Sequence, residues 1–141
     1  MLYSICFISN SVRLLQDDEL EAFLAISKVH NLVRNITGIL LYNEGTFLEV
    51  MEGKYVDISV LISKIQRDPR HNNITVMIDQ EISNRLFDSF QTGILSSDNE
   101  AKKEMLEFKK QLPKASQYSK SLRTLLNSFT KNEIISSGYG V

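Results

Sequence analysis

Residues 36–53 read ITGILLYNEGTFLEVMEG, and this stretch decides the fold of the chain. Two apolar runs of strand length flank the turn Asn43-Glu44-Gly45, which predicts a single β-hairpin. Because alternate residues of a strand share a face, Glu49 lies on the same face as Phe47 and Met51. An ionised carboxylate on an apolar face is costly to bury and tends to protonate. Glu49 therefore indicates either a position beside a ligand or a protonated or hydrogen-bonded core acid.

The segments around the hairpin predict an α+β fold. Short apolar runs and helical spacing of apolar residues predict strands over residues 2–9, 74–82 and 87–95, and helices over residues 17–33 and 54–67. The step Asp68-Pro69 ends the second helix, since the residue before proline is disfavoured in the helical conformation. The order βαββαβ, followed by one further strand, predicts a ferredoxin-like sandwich with two helices on one face of a mainly antiparallel sheet.

The second face of such a sheet must also be covered. Residues 97–112 and 116–129 carry apolar residues at helical spacing on either side of Pro113. We therefore predict two extra C-terminal helices that cap the open face. The predicted organisation is a ferredoxin-like domain over residues 1–95, a helical cap over 96–130 and a flexible tail over 131–141.

Composition limits the possible functions. The 141 residues are 43% hydrophobic, which suits a single domain able to bury its own core. A net charge of −1 provides no general attraction to nucleic acid. The chain has no apolar run long enough for a membrane span and no signal-peptide start, and Cys6 has no second cysteine to pair with. These features predict a cytoplasmic protein that binds neither membrane nor nucleic acid.

Enzymatic signatures are absent from the sequence. His30 and His71 are far apart and have no cysteine or carboxylate at metal-ligand spacing, so no metal site is predicted. The chain has no phosphate-binding loop and no nucleophile elbow. The expectation is a non-enzymatic protein, and the remaining enzymatic alternative is a small-molecule enzyme that uses Glu49 as acid or base.

Four ordered blocks carry a family resemblance. They are Asn31, the segment ITGILLY at 36–42, the segment FLEVMEG at 47–53, and Asp68-Pro69-Arg70-His71. In this order and spacing they resemble the BLUF family, blue-light sensors using FAD, over roughly residues 1–95. The resemblance implies a blue-light photoreceptor domain that binds FAD and passes its signal to a protein partner.

The resemblance also implies a binding site for the flavin. It places the cofactor between the two helices, on the sheet face that carries Phe7 and Glu49. Asn31 is then expected at the edge of the isoalloxazine, where an amide can meet both carbonyl and N–H groups. Lys64, Asp68, Arg70 and His71 are expected along the ribityl and phosphate end. The alternatives are a helix cap for Asn31, an ordinary core aromatic for Phe7, and a solvated helix end for Arg70 and His71.

Three departures from the family pattern concern its photochemistry. Phe7 stands where the family has a tyrosine, Glu49 stands where it has the switching glutamine, and residues 90–92 replace its tryptophan segment. A phenyl ring has no O–H donor, and a carboxyl group copies an amide only when protonated. The standard photocycle is therefore expected to be lost or altered. The alternative is a flavin-free protein-interaction module; either is expected to form homo-oligomers, with contacts through the C-terminal helices and exposed sheet face.

Overall fold

The computed structural model describes residues 1–95, 99–113 and 116–130. Its elements are β1 (Leu2–Ser11), α1 (Asp17–Val33), β2 (Thr37–Asn43), β3 (Thr46–Lys54), α2 (Tyr55–Gln66), β4 (His71–Glu81), β5 (Phe90–Ile94), α3 (Asn99–Gln111) and α4 (Gln117–Thr130). The strand order is β4-β1-β3-β2-β5, and only the β2–β5 pair is parallel. This confirms the predicted ferredoxin-like α+β fold. The predicted start of the third helix at Ser97 and the predicted tail at 131–141 lie outside the described residues.

The central hairpin forms as its sequence predicts. Glu44 and Gly45 both have positive φ, 47° and 91°, which matches the primed turns of two-residue hairpins. Gly38 is required in β2, because its φ is +148° and an added Cβ would lie 1.8 Å from the Val50 carbonyl oxygen. The glycine therefore allows β2 and β3 to approach closely in the middle of the sheet.

Helices cover both faces of the sheet. On one face, α1 and α2 bury separate clusters, in which Leu20 and Leu24 pack near Phe47, and Ile58 packs near Phe7. On the other face, apolar side chains of α3 and α4 pack in one large core with the side chains of β1, β2 and β3 that point to that face. Cys6 lies in that second core, on the face opposite to Phe7, as the strand alternation predicts.

A buried polar network fastens α4 to the sheet. The side chain of Glu52 is fully buried and accepts hydrogen bonds from the backbone N–H groups of Leu86 and Phe87, at 3.0 and 2.9 Å, and from the Tyr118 hydroxyl at 2.5 Å. The Tyr118 oxygen also lies 2.8 Å from Ser4 Oγ. Burial raises the pKa of Glu52, and the three donors act against that shift.

Three predicted boundaries were wrong. The last strand begins at Phe90 and not at residue 87, because the preceding backbone N–H groups bond to the Glu52 carboxylate. Ser11 pairs with His71, so β1 extends past residue 9 and β4 begins before residue 74.

Within the described ranges, no helix is long and apolar enough to cross a membrane.

Candidate functional site

A cavity of about 250 Å³ lies between α1 and α2, above the sheet. Its lining includes all seven residues that the sequence singled out, which are Phe7, Asn31, Glu49, Lys64, Asp68, Arg70 and His71. The walls are otherwise mainly apolar, with Phe23 and Ile26 from α1 and Leu61 and Ile65 from α2. Small-molecule sites have this character, an apolar concavity with a few convergent polar groups.

Glu49 forms the polar part of the cavity floor. In the sheet register it lies opposite Phe7 of β1 and opposite Leu40 of β2, and all three side chains are buried. Burial among these apolar groups raises the pKa of Glu49 to about 7, and the hydrogen bond from Asn31 opposes the shift. Near neutral pH the carboxyl group is therefore divided between its protonated and ionised forms.

Asn31 turns its amide toward the sheet from the last turn of α1. Its Nδ2 donates to Glu49 Oε2 at 3.4 Å, and the residue is only 3% exposed. The helix-cap interpretation was wrong, because Arg34 is the cap residue and Asn35 takes the left-handed conformation with φ of 56°. Among the described residues, no group donates to the other carboxyl oxygen, Glu49 Oε1. This atom is available to a ligand.

An ion pair lies at the rim of the cavity. Arg70 Nε donates to both carboxyl oxygens of Asp68 at 2.9 and 3.0 Å, and Arg70 Nη2 reaches Oδ2 at 2.5 Å. These bonds hold the pKa of Asp68 below its ordinary value. The guanidinium carbon also lies 4.5 Å above the centre of the Phe23 ring. Arg70 is therefore held in one position and is still exposed to solvent. This agrees in part with the alternative of a solvated helix end.

His71 closes the end of the cavity between the sheet and α2. Its Nε2 lies 2.9 Å from the Ile65 carbonyl oxygen, and its Nδ1 lies 2.8 Å from Ser9 Oγ. Because a carbonyl oxygen only accepts, Nε2 carries a proton and donates to Ile65. The ring centre is 6.3 Å from those of Phe7 and Phe47. His71 therefore begins a paired strand, and the solvated helix end expected for it was wrong.

Lys64 contributes the other positive charge of the cavity. It lies in the last turn of α2, is exposed, and forms no ion pair within the described part of the chain. Its ammonium group is therefore free to meet an anion.

Several lining residues were missed by the sequence analysis. Phe23 and Ser27 precede Asn31 by eight and four residues, so the helical repeat places all three on one side of α1. Ser9 follows Phe7 by two residues and shares its face of β1. The helical spacing from Asn31 and the strand alternation from Phe7 were therefore sufficient to predict these three residues as part of the site.

Comparisons with known proteins identify the family of the chain. The family model described as "BLUF: Sensors of blue-light using FAD" matches residues 2–93. The photoactivated adenylate cyclase subunit beta of Euglena gracilis is 30% identical over 62% of this chain and 10% of its own length. The blue light- and temperature-regulated antirepressor BluF of Escherichia coli is 32% identical over 45% of this chain and 17% of its own length.

A solved structure extends the likeness to most of the chain. The structure of Klebsiella pneumoniae BlrP1 with FMN and cyclic diGMP matches with a TM-score of 0.75 and 27% identity, over 94% of this chain and 35% of that one. The chain therefore spans between 10 and 35% of the length of these three relatives. On the family model, which covers well over half of its residues, the chain belongs to the BLUF family of blue-light sensors using FAD.

Proposed function

We propose that this chain binds FAD with the flavin ring in the cavity between α1 and α2, and that it acts as a sensory domain through contacts with a protein partner. The observation that carries the proposal is the buried pair Asn31 and Glu49, whose free oxygen Oε1 meets no donor among the described residues. Both residues line the cavity, so a ligand there can donate a hydrogen bond to this oxygen.

The size and lining of the cavity support a flavin. A dry apolar cavity of roughly 150 Å³ holds one benzene ring, so about 250 Å³ has room for a larger aromatic system. Lys64 and Arg70 at the rim supply positive charge for phosphate groups. The similar BlrP1 structure contains FMN, which supports a flavin in the same fold.

Two residues of this chain set what the bound flavin does. The flavin supplies light absorption and redox chemistry when it is bound. Phe7 has no hydroxyl group, so it donates no hydrogen bond or proton to the ring. Glu49 holds a proton on its carboxyl group below a pH of about 7 and only accepts hydrogen bonds above it. We therefore propose a light response that differs from that of a tyrosine and glutamine pair.

A flavin-free interaction module is the second candidate. It is favoured by Phe7 and by the ion pair of Arg70, whose guanidinium is already held by Asp68 and the ring of Phe23. In this case the cavity binds no ligand, and the protein functions only through contacts made by its outer surfaces. The two candidates differ in one property, the binding of flavin.

Absorption spectroscopy separates the two candidates. The protein is expressed with added flavin, purified and measured before and after blue illumination, beside the variants Asn31→Ala and Asn72→Ala. We expect the blue absorption band of oxidised flavin in the wild type and in Asn72→Ala, since Asn72 is exposed on β4, and a weaker band in Asn31→Ala.

The result that contradicts flavin binding is equally clear. A wild type with no flavin band and a folded circular dichroism spectrum overturns the proposal and leaves the interaction module. An equal loss of flavin from both asparagine variants contradicts the assigned role of Asn31.

A further inference from the structure

A second cavity lies beside the first, toward the N-terminal half of α1. Its volume is about 220 Å³, and it shares four lining residues with the first cavity, which are Phe23, Ile26, Phe47 and Arg70. The rest of its lining consists of Leu15, Glu19 and Ala22. Because the shared residues form a common wall, the two cavities adjoin, and one long ligand can occupy both.

One side of α1 lines the two cavities in succession. The residues of α1 in the second cavity begin at Glu19, and those in the first cavity end at Asn31. Between them the lining residues recur at helical spacing, so they lie on one face of the helix. From Glu19 to Asn31 the helix rises by about 18 Å along its axis. The cavities therefore form a groove along α1 that extends beyond the part between α1 and α2.

The common wall offers an aromatic ring and a cation. The guanidinium carbon of Arg70 lies 4.5 Å from the centre of the Phe23 ring. Phe23 also meets Phe47 edge-on, with the ring centres 5.4 Å apart. Nucleic-acid bases stack on phenyl rings and on guanidinium planes. An aromatic base is therefore a ligand that suits this wall.

Arg70 also has a donor available for a phosphate. Its Nε and Nη2 donate to Asp68, whereas its Nη1 meets no acceptor among the described residues. The guanidinium carries five N–H donors in a planar fork, so one edge can bind a phosphate while Asp68 holds the other. Asp68 offsets the charge of Arg70, and Lys64 in the first cavity supplies a second cation. A phosphate at Arg70 would lie between the occupants of the two cavities.

Glu19 provides an acceptor in the second cavity. Its carboxyl oxygens accept hydrogen bonds from Arg13 Nη1 and Nη2 at 3.0 and 2.6 Å, and Oε1 accepts a further one from the backbone N–H of Gln16. These bonds lower the pKa of Glu19 to about 2, so the group stays ionised. Oε2 has only one donor among the described residues, and a carboxylate oxygen accepts two. The exocyclic amine of adenine is a donor of the required kind.

We propose that the second cavity binds the adenine of FAD, with the diphosphate at Arg70 between the two cavities. This inference rests on the proposed function, since it requires the flavin ring in the first cavity. FMN ends at its single phosphate and has no base for the second cavity. The chain is therefore expected to bind FAD more tightly than FMN.

Titration of the full chain, freed of flavin, with FAD and with FMN tests the proposal. Flavin fluorescence gives the two dissociation constants, and we expect that of FAD to be lower by roughly tenfold or more, as one stacked base contributes. Ala22→Leu places a branched side chain in the second cavity, so it is expected to raise the constant of FAD toward that of FMN and to leave FMN unchanged. Ala25→Leu is the matched control, because Ala25 is exposed on the same helix and lines neither cavity.

The possible failures are distinct. Equal constants for FAD and FMN in the wild type overturn the adenine site, while the proposed flavin binding stands. An unchanged preference for FAD in Ala22→Leu, or an equal loss of preference in both alanine variants, also overturns the adenine site. A wild type that binds neither flavin contradicts the proposed function itself, and the adenine site with it.

Discussion

At the scale of one residue, Glu49 makes the stability of the protein depend on pH. Its pKa in the folded chain is about 7, against an ordinary value of 4.5, because the carboxyl group is buried beside Phe7 and Leu40. Between these two values the folded state binds more proton than the unfolded state. The stabilisation from protonated Glu49 is therefore complete below pH 4.5 and is lost as the pH rises through 7.

Replacing Glu49 with glutamine is expected to remove this loss. The shift corresponds to about 3 kcal/mol at most, so the gain in unfolding free energy of Glu49→Gln over the wild type should be roughly 2–3 kcal/mol larger at pH 8 than at pH 5. Urea unfolding of both proteins at the two pH values measures this difference. Other titrating groups, such as Glu52, are present in both proteins and cancel. An equal pH dependence in the two proteins would contradict a raised pKa.

At the scale of one element, the hydroxyl group of Tyr118 joins α4 to the sheet. This group donates to the buried carboxylate of Glu52 and lies within bonding distance of Ser4. Tyr118→Phe leaves Glu52 with only its backbone donors, which is expected to lower the unfolding free energy by about 1–3 kcal/mol. Urea unfolding checks this value.

Tyr55 provides the control for that change. It is 49% exposed, and its ring meets only the ring of Tyr3 edge-on among the aromatic contacts of the described residues. Tyr55→Phe is expected to change the unfolding free energy by less than about 0.5 kcal/mol. Losses of similar size in the two variants would contradict a stabilising role for the hydrogen bond between Tyr118 and Glu52.

Elements whose boundaries depend on local chemistry could be predicted from the sequence. The hairpin follows from its turn residues and alternation, and α2 ends before Asp68-Pro69 as the proline rule predicts. The start of β5 could not be predicted, since it depends on the carboxylate of Glu52, over thirty residues earlier in the chain. Local propensity contains no information about that partner.

Part of the candidate site could likewise be predicted from the sequence, and part of it could not. Alternation along β3 was sufficient to place Glu49 on the face of Phe47, and the family blocks pointed to Asn31 and His71. The hydrogen bond between Asn31 and Glu49 joins residues 18 positions apart, and it depends on how α1 packs on the sheet. The two bonds of His71 likewise depend on tertiary packing, because they join β4 to β1 and to α2.

At the scale of the whole molecule, β3 connects the two sides of the sheet. Glu49 faces the cavity, and Glu52, three residues later, faces α4 on the opposite side. Both are buried carboxyl groups whose hydrogen bonds come from other elements. A change in the position of β3 would therefore act on the cavity and on the C-terminal helices together.

Two substitutions in the site are expected to give the chain the light response of a tyrosine and glutamine pair, if it binds flavin. Phe7→Tyr supplies an O–H donor that can be oxidised, and Glu49→Gln supplies an amide that donates and accepts at every pH. We expect the flavin-loaded double variant to show a reversible red shift of its absorption after blue light, and each single variant to lack it. A flavin-loaded double variant without the shift would mean that residues 90–92 of β5, where the family has its tryptophan segment, or the shape of the cavity also decide the response.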